Sequence, residues 1–418
     1  MRLTKIIIKI SFLLITFTYL IACGDEDSES NTVSIEFVSA EPSSITLQGT
    51  GGAGLSETSN IQFRVKDPLG SVLTEQTVNF SLSTNVGGIS LNPSTAISDE
   101  DGLVNTIVQS GAVPTAVRVI ADIPGTDITT LSGQLAITAG IPDQDSMTIG
   151  ASVLNPEGLN YSGEETIIVV HLGDIFNNFV PEGTTVSFKT EGGSIEGSCI
   201  SSVLSDCDVT WRSQDPRPLD GRVTILATAL GQESFVDENG NGIFDQGDTF
   251  TDMPEAFRDD NENGIRDIGE EFLDINNDGI YSAADGLYNG SSCLPGFALC
   301  SAQKNIHVRD SMTIVMSGSA AVITGMPASI NLGPNPFTFS IVVADINGNS
   351  LPGGTSILIS STNGTIDSLA SYTIPNRLGS TTIPISITGD DTPDSGVLEV
   401  LITTPNNNVT TVTTDVFD

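Results

Sequence analysis

Apolar and polar residues alternate along much of this chain. Ile61, Phe63 and Val65 are interleaved with Gln62, Arg64 and Lys66, and the scheme returns at Val78, Phe80 and Leu82. It recurs at Val186 with Phe188 and at Ile357 with Ile359. A period of two puts one set of side chains on a buried face and the other in water, the pattern of antiparallel sandwich strands. Further strands are predicted at Val104-Thr106-Val108 after the Asp101-Gly102 turn, at Val209 with Trp211, and at Ile383-Ile385-Ile387. Pro384 interrupts the last and predicts an edge strand or a bulge there. The fold class expected is all-β, built of antiparallel sandwiches.

The alternating pairs form a repeat. Residues 63–89 read FRVKDPLGSVLTEQTVNFSLSTNVGGI, residues 170–195 VHLGDIFNNFVPEGTTVSFKTEGGSI, and residues 341–366 IVVADINGNSLPGGTSILISSTNGTI. Each copy has a strand, an aspartate (Asp67, Asp174, Asp345), a polar turn, a second strand, and a closing glycine with isoleucine just beyond. Asp67 to Asp174 is 107 residues, one sandwich with its linker, whereas Asp174 to Asp345 is 171, longer by 64. Residues 234–292 differ in composition and account for nearly all of the excess. The expected modules are 33–140, 145–308 carrying that insert, and 310–418.

FRVKDPLGSVL, TVNFSLSTNVGGI and DGLVNTIV in the first module resemble the bacterial Ig-like group 1 domains of the invasin/intimin family. The likeness extends through the second module and loosens in the third. It implies tandem Ig-like sandwiches serving as a stalk or adhesive rod, and it carries no catalytic residues over.

The insert holds 15 acidic residues against two basic ones between Asp237 and Asp285. Residues 237–248 are DENGNGIFDQGD, 259–270 DDNENGIRDIGE and 274–285 DINNDGIYSAAD. All three fit D-x-N-x-(N/D)-G with an oxygen donor at the ninth position and a carboxylate at the twelfth, the spacing of an EF-hand calcium loop. Alternate side chains can then wrap one hard cation, and the sixth-position glycine permits the turn that brings in the next carbonyl. The ligands expected in the first loop are Asp237, Asn239, Asn241, the Ile243 carbonyl, Asp245 and Asp248. In the second they are Asp259, Asn261, Asn263, the Ile265 carbonyl, Asp267 and Glu270; in the third, Asp274, Asn276, Asp278, the Ile280 carbonyl, Ser282 through water, and Asp285. Only the second loop ends in Glu, and no full helices are expected to flank the loops. These features are closer to the dockerin-like calcium repeats of extracellular proteins than to a sensor. Bound Ca²⁺ would offset the local charge, so folding of the insert is expected to depend on it. Phe244, Phe250, Phe257, Phe272 and Tyr281 are expected to form its thin core.

Residues 1–22 carry Arg2, Lys5 and Lys9 ahead of an apolar run that ends at a cysteine. The run from Ile10 to Ala22 is short for a membrane span and suits a signal peptide. Leu20-Ile21-Ala22-Cys23 resembles the lipobox of bacterial lipoproteins, which implies cleavage before Cys23 and a lipid anchor on it. Gly24 in place of Asp favours the outer membrane, and residues 23–32 form an acidic tether. Whether the chain faces the periplasm or the cell exterior is left open. A net charge of −37 repels nucleic acid. The partners considered are the membrane through the lipid and a host or matrix protein or glycan. The runner-up function is calcium-dependent binding of glycan or matrix.

Cys199, Cys207, Cys293 and Cys300 are expected to form two disulfides in an exported chain. The short pairings 199–207 and 293–300 are favoured, although three connectivities and a four-thiolate zinc site fit the sequence. There is no G-x-S-x-G, Walker loop or H-E-x-x-H, and the two histidines, His171 and His307, lack partners in any catalytic pattern. No enzyme is expected. Trp211 is expected in a core.

Overall fold

The computed structural model describes residues 33–48, 56–390 and 394–417. The signal peptide at 1–22, Cys23 and the tether at 23–32 lie outside the described residues.

The chain is all-β, and the alternation becomes three sandwich cores in series. Ile61, Phe63 and Val65 of strand Thr58–Lys66 face Val78 and Phe80 of strand Thr77–Leu82, and all five are buried. The Phe63 ring lies 5.9 Å edge-on to Phe37 and 5.8 Å stacked on Phe80. In the second core Trp211 is fully buried and its indole N–H donates to the Gly192 carbonyl at 2.9 Å. In the third, Ile357 and Ile359 meet Ile383, Ile385 and Ile387. Each fully buried aliphatic or aromatic side chain contributes about 1.5–3 kcal/mol, so each module has a core of its own.

Strand order repeats as well. One sheet runs Ser34–Glu41, Thr58–Lys66, Leu103–Gln109, Ser90–Asn92 in the first module. It runs Met147–Ala151, Glu165–Leu172, Asp206–Arg212, Ser194–Ile195 in the second, and Val322–Thr324, Phe337–Ala344, Thr381–Thr388, Thr365–Ile366 in the third. The glycines that close the sequence repeat all have positive φ: Gly88 at 85°, Gly193 at 69° and Gly364 at 74°. A Cβ on Gly193 would also stand 2.6 Å from the Trp211 ring, so the position needs both the left-handed backbone and the missing side chain. Pro384 sits in a strand whose outer neighbour pairs only at Thr365↔Thr388 and Ile366↔Ile387, so its missing N–H breaks no ladder bond on that side.

The repeat aspartates turn the corner between the sheets and also join the modules. Asp67 Oδ1 accepts the N–H groups of Leu69 and Ser71, an Asx turn. Asp174 Oδ1 does the same for Phe176 and Asn178, and Asp345 Oδ1 for Asn347 and Asn349. In these two copies the second oxygen takes the incoming linker: Asp174 Oδ2 accepts from Ala139 N–H and Asp345 Oδ2 from Gly318 N–H, each at 2.9 Å. Both aspartates are buried, whereas Asp67 is partly exposed. The junction between the second and third modules is also bonded through Asn155, whose amide donates to the Leu351 and Pro375 carbonyls, and through buried Glu157.

Two boundaries shift from the sequence expectation. The second module does not end at 308: strand Ile306–Val315 pairs with Arg222–Gly231 along its whole length and supplies Ile306, Val308 and Ile314 to the core, with Met316 just beyond it. His307 and Arg309 therefore lie in a strand of the second module. The insert runs between these two strands, and its packing reaches Phe297 and Cys300, past residue 292. The disulfides are Cys199–Cys207 and Cys293–Cys300, with Cα separations of 6.0 and 5.9 Å. The first ties strand Ser198–Ile200 of one sheet to Asp206–Arg212 of the other. The second fastens the end of the insert, where Phe244 bridges to Cys293 and Tyr288 to Cys300.

Candidate metal centre

The insert lies back on the module that carries it. Arg222 makes two 2.6 Å bonds to the Glu262 carboxylate, and Lys189 pairs with Glu271 at 2.6 Å. Arg258 donates to the Thr190 carbonyl, and the Thr224 hydroxyl to the Asp259 carbonyl. The expected thin core divides in two. Phe244 and Phe250 pack with Phe235, Tyr288 and Phe297, the closest centroids being 4.6 Å apart. Phe257 and Phe272 meet Tyr281 edge-on, and the Arg266 guanidinium sits 4.7 Å from the Phe272 ring centroid.

Within this contact Glu191 is half-buried, and desolvation pushes its carboxyl up to about 7 despite the bond from Thr224 N–H. The folded state therefore holds that proton through a window, about pH 4.5 to 7, in which the unfolded chain has lost it. Stability falls as pH rises across that window. Glu191→Gln is expected to be more stable than the parent above pH 7 by about 1 kcal/mol, after allowance for solvent access, and equal to it below pH 4.5. Urea midpoints at pH 4 and pH 8 check this; a variant less stable than the parent at pH 8 would contradict it.

Each twelve-residue segment folds into the same loop. The first-position carboxylate receives the sixth-position glycine N–H: Asp237 from Gly242 at 2.6 Å, Asp259 from Gly264 at 2.6 Å and Asp274 from Gly279 at 2.7 Å. Those glycines have φ of 76°, 82° and 76°. The fifth-position oxygen receives the seventh N–H, as Asn241 does from Ile243, Asn263 from Ile265 and Asp278 from Ile280. The third-position amide reaches the ninth side chain: Asn239 to Asp245, Asn261 to Asp267 and Asn276 to Ser282. Amides of Asn261 and Asn263 hold the Asp267 carboxyl below its ordinary value. The donor side chains thus converge on one point per loop, and a half-turn of each amide would present its oxygen there.

A carboxylate closes every loop by bridging the second and ninth N–H groups. Asp248 bridges Glu238 and Asp245, and Glu270 bridges Asp260 and Asp267, each from the twelfth position of its own loop. The third loop departs from expectation. Asp285 does not close it; Glu255, buried in the segment between the first two loops, accepts from Ile275 N–H at 3.0 Å and Ser282 N–H at 2.9 Å. Asp285 instead accepts from Leu287 N–H. Fixed spacing cannot find Glu255, because it comes from outside the loop. The one available signal was the D-G-L at 285–287, which begins a turn of its own where a closing residue was expected.

Among the described residues no three His, Cys, Asp or Glu side chains gather into a metal cluster by themselves. The donors here are shared among carboxylates, amides and main chain, a set that suits a hard, oxygen-seeking cation and not zinc. At the root of the insert, burial pushes the Glu233 carboxyl up to about 7, with the neighbouring Asp252 and Asp285 charges adding to the rise. The first loop lies close to more than its own module. A Cβ on its buried Gly242 would lie 3.5 Å from Phe176 of the second module and 3.7 Å from Pro114 of the first.

No family model and no curated protein sequence matches the chain. Solved structures similar to it include the D0-D1 domain of intimin, at 16% identity and a TM-score of 0.25, covering 47% of this chain and 91% of that one. Invasin, titled a bacterial integrin-binding protein, aligns at 14% identity and a TM-score of 0.26 over 92% of this chain and 60% of its own. FdeC, an Escherichia coli adhesin, aligns at 12% identity and a TM-score of 0.29, covering 92% of this chain and 96% of that one.

Proposed function

We propose that the chain is a lipid-anchored envelope protein whose sandwiches form a calcium-stabilised adhesive stalk. Supporting this, the modules are joined by buried hydrogen bonds and not by a loose linker, and three in series reach on the order of 100 Å. The observation that carries the reading is the seat of the first loop, with Gly242 against both Pro114 and Phe176. A cation that stiffens this loop stiffens the first junction of the rod. Extracellular calcium is plentiful, so dissociation constants of about 10⁻⁴–10⁻³ M would keep the sites filled outside the cytoplasm. Cys23 supplies the anchor in this reading, and the outer membrane is its location. A host protein or matrix glycan is the ligand class.

The test has two arms. Labelled palmitate should enter the parent and not Cys23→Ser, and protease added to intact cells should remove the modules. Incorporation that survives Cys23→Ser, or modules shielded on intact cells and cut only after the outer membrane is opened, would sink the surface-anchored stalk. A second reading, calcium-dependent glycan or matrix binding, is favoured by a groove of about 610 Å³ at the first junction. Phe179 and Val203 line it and are exposed. Phe179→Ala should then weaken adhesion to the matrix while leaving the protease pattern unchanged.

A further inference from the structure

Asp285 is displaced from the third loop because it belongs to another arrangement. Its Oδ1 accepts from Leu287 N–H at 2.8 Å, the bond that marks the fifth and seventh positions in the three contiguous loops. Gly286 between them has φ 80° and donates its N–H to Asp252 Oδ2 at 2.5 Å, as a sixth-position glycine does to a first-position aspartate. Three residues past that glycine, where the ninth position falls, Asn289 N–H goes to Glu233 Oε2 at 2.7 Å. Glu233 Oε1 receives the N–H of Met253, the residue after Asp252, at 2.8 Å. Glu233 therefore bridges the second and ninth positions as Asp248, Glu270 and Glu255 do in their loops. Every hydrogen bond of the closing template is present, on three separate pieces of chain.

A second observation points to a ligand. Asp252 Oδ1 is sealed from solvent with no hydrogen-bond partner, and in the contiguous loops the matching oxygen receives main-chain N–H groups. In the split arrangement the fifth-position N–H, that of Asp285, does not reach this oxygen, and an anionic oxygen sealed from solvent is left unpaired, which is costly without a cation. Among the described residues none of Glu233, Asp252 and Asp285 forms an ion pair with Lys or Arg. The Asn289 amide nitrogen is engaged by Ser301 and Gln303, which fixes the orientation of its oxygen.

We propose that Asp252, Asp285, the Leu287 carbonyl, Asn289 and Glu233 form a fourth, split calcium site at the root of the insert, and that Glu255 is the closing ligand of the third. This rests on the calcium reading of the three contiguous loops. The fourth site differs in consequence: its ion ties residue 233 at the exit of a sandwich strand to segments 19 and 52 residues further on, so it holds the insert to its module.

Equilibrium dialysis of the full chain against calcium, with bound ions counted, tests the assignment. The parent should bind four. Asp252→Asn, nearly isosteric, should bind three, as should Asp285→Asn and Glu255→Gln. The double variant Asp285→Asn with Glu255→Gln should bind two, because the residues serve different ions. A parent count of three, an unchanged count in Asp252→Asn, or three ions kept by the double variant would overturn the split site and leave the three-loop reading intact. A parent that binds none removes both. The parent count needs no variant to fold.

Discussion

Stripping calcium with a chelator will expose residues 237–289 to protease while the three sandwiches stay folded. The segment from Asp237 to Asp285 carries 15 acidic residues and two basic ones, and outside the loops its support is two small aromatic clusters and a few ion pairs. At about 1 mM free calcium, a site with a dissociation constant of about 10⁻⁴ M contributes about 1.4 kcal/mol to the folded form. The three contiguous loops together would contribute about 4 kcal/mol, a large share of what so thin a core can supply. Cys293–Cys300 will still close its own short loop, and the strands Arg222–Gly231 and Ile306–Val315 will remain paired, because their core lies inside the module. Cleavage between Asp259 and Gly279 should therefore appear only with chelator. Small-angle scattering should show a wider spread of end-to-end distances as the first junction loosens. The same cleavage rate with and without calcium, or an unaltered scattering profile, refutes the structural role.

Glu157→Ala will cost about 2–4 kcal/mol at neutral pH and free the third module from the second. The Glu157 side chain is buried at that junction and accepts from the Thr404 hydroxyl at 2.7 Å, Asn406 N–H at 2.9 Å, and the amides of Asn406 and Asn408 at 3.0 and 3.1 Å. Removing the carboxylate leaves the buried Thr404 hydroxyl without its acceptor and takes a charged partner from Asn406 and Asn408, at roughly 1 kcal/mol or more for each bond lost. Burial alone would raise the Glu157 carboxyl, but the bonds from Thr404 and Asn406 outweigh it and hold it below the ordinary value. A depressed carboxylate stabilises the fold above its unfolded pKa, and that stability is lost as pH falls through the folded value. The parent junction should thus loosen in acid, once pH falls below the ordinary carboxylate range, while the variant is loose at every pH. Denaturant midpoints and scattering of both proteins at pH 3.5 and pH 7 decide the matter. Equal stability of parent and variant at pH 7 would mean that the junction is held elsewhere.

The sandwiches were legible because each strand's own alternation marks its buried face. Ile61, Phe63 and Val65 needed no knowledge of their partners to be placed inside. The corner aspartates were visible as a repeat, but not their second task, since Ala139 and Gly318 meet Asp174 and Asp345 only once the next module is folded. The end of the second module was misplaced for a related reason. Ile306–Val315 follows a long insert, and only its pairing with Arg222–Gly231 shows which core it serves.

In the insert, the sequence by itself determined whatever lies within twelve consecutive residues. The glycines at the sixth position, the alternating oxygens and two of the three closing carboxylates follow from local spacing, because a tight loop is closed by its own neighbours. Only the tertiary structure decided that Glu255 closes the third loop and that Asp285 turns away toward Asp252 and Glu233. A closing carboxylate has to reach two particular N–H groups, and any chain segment that passes at that distance can supply it. Linear spacing determines a loop, whereas a site assembled from separate segments exists only after the sheets beneath it have brought those segments together.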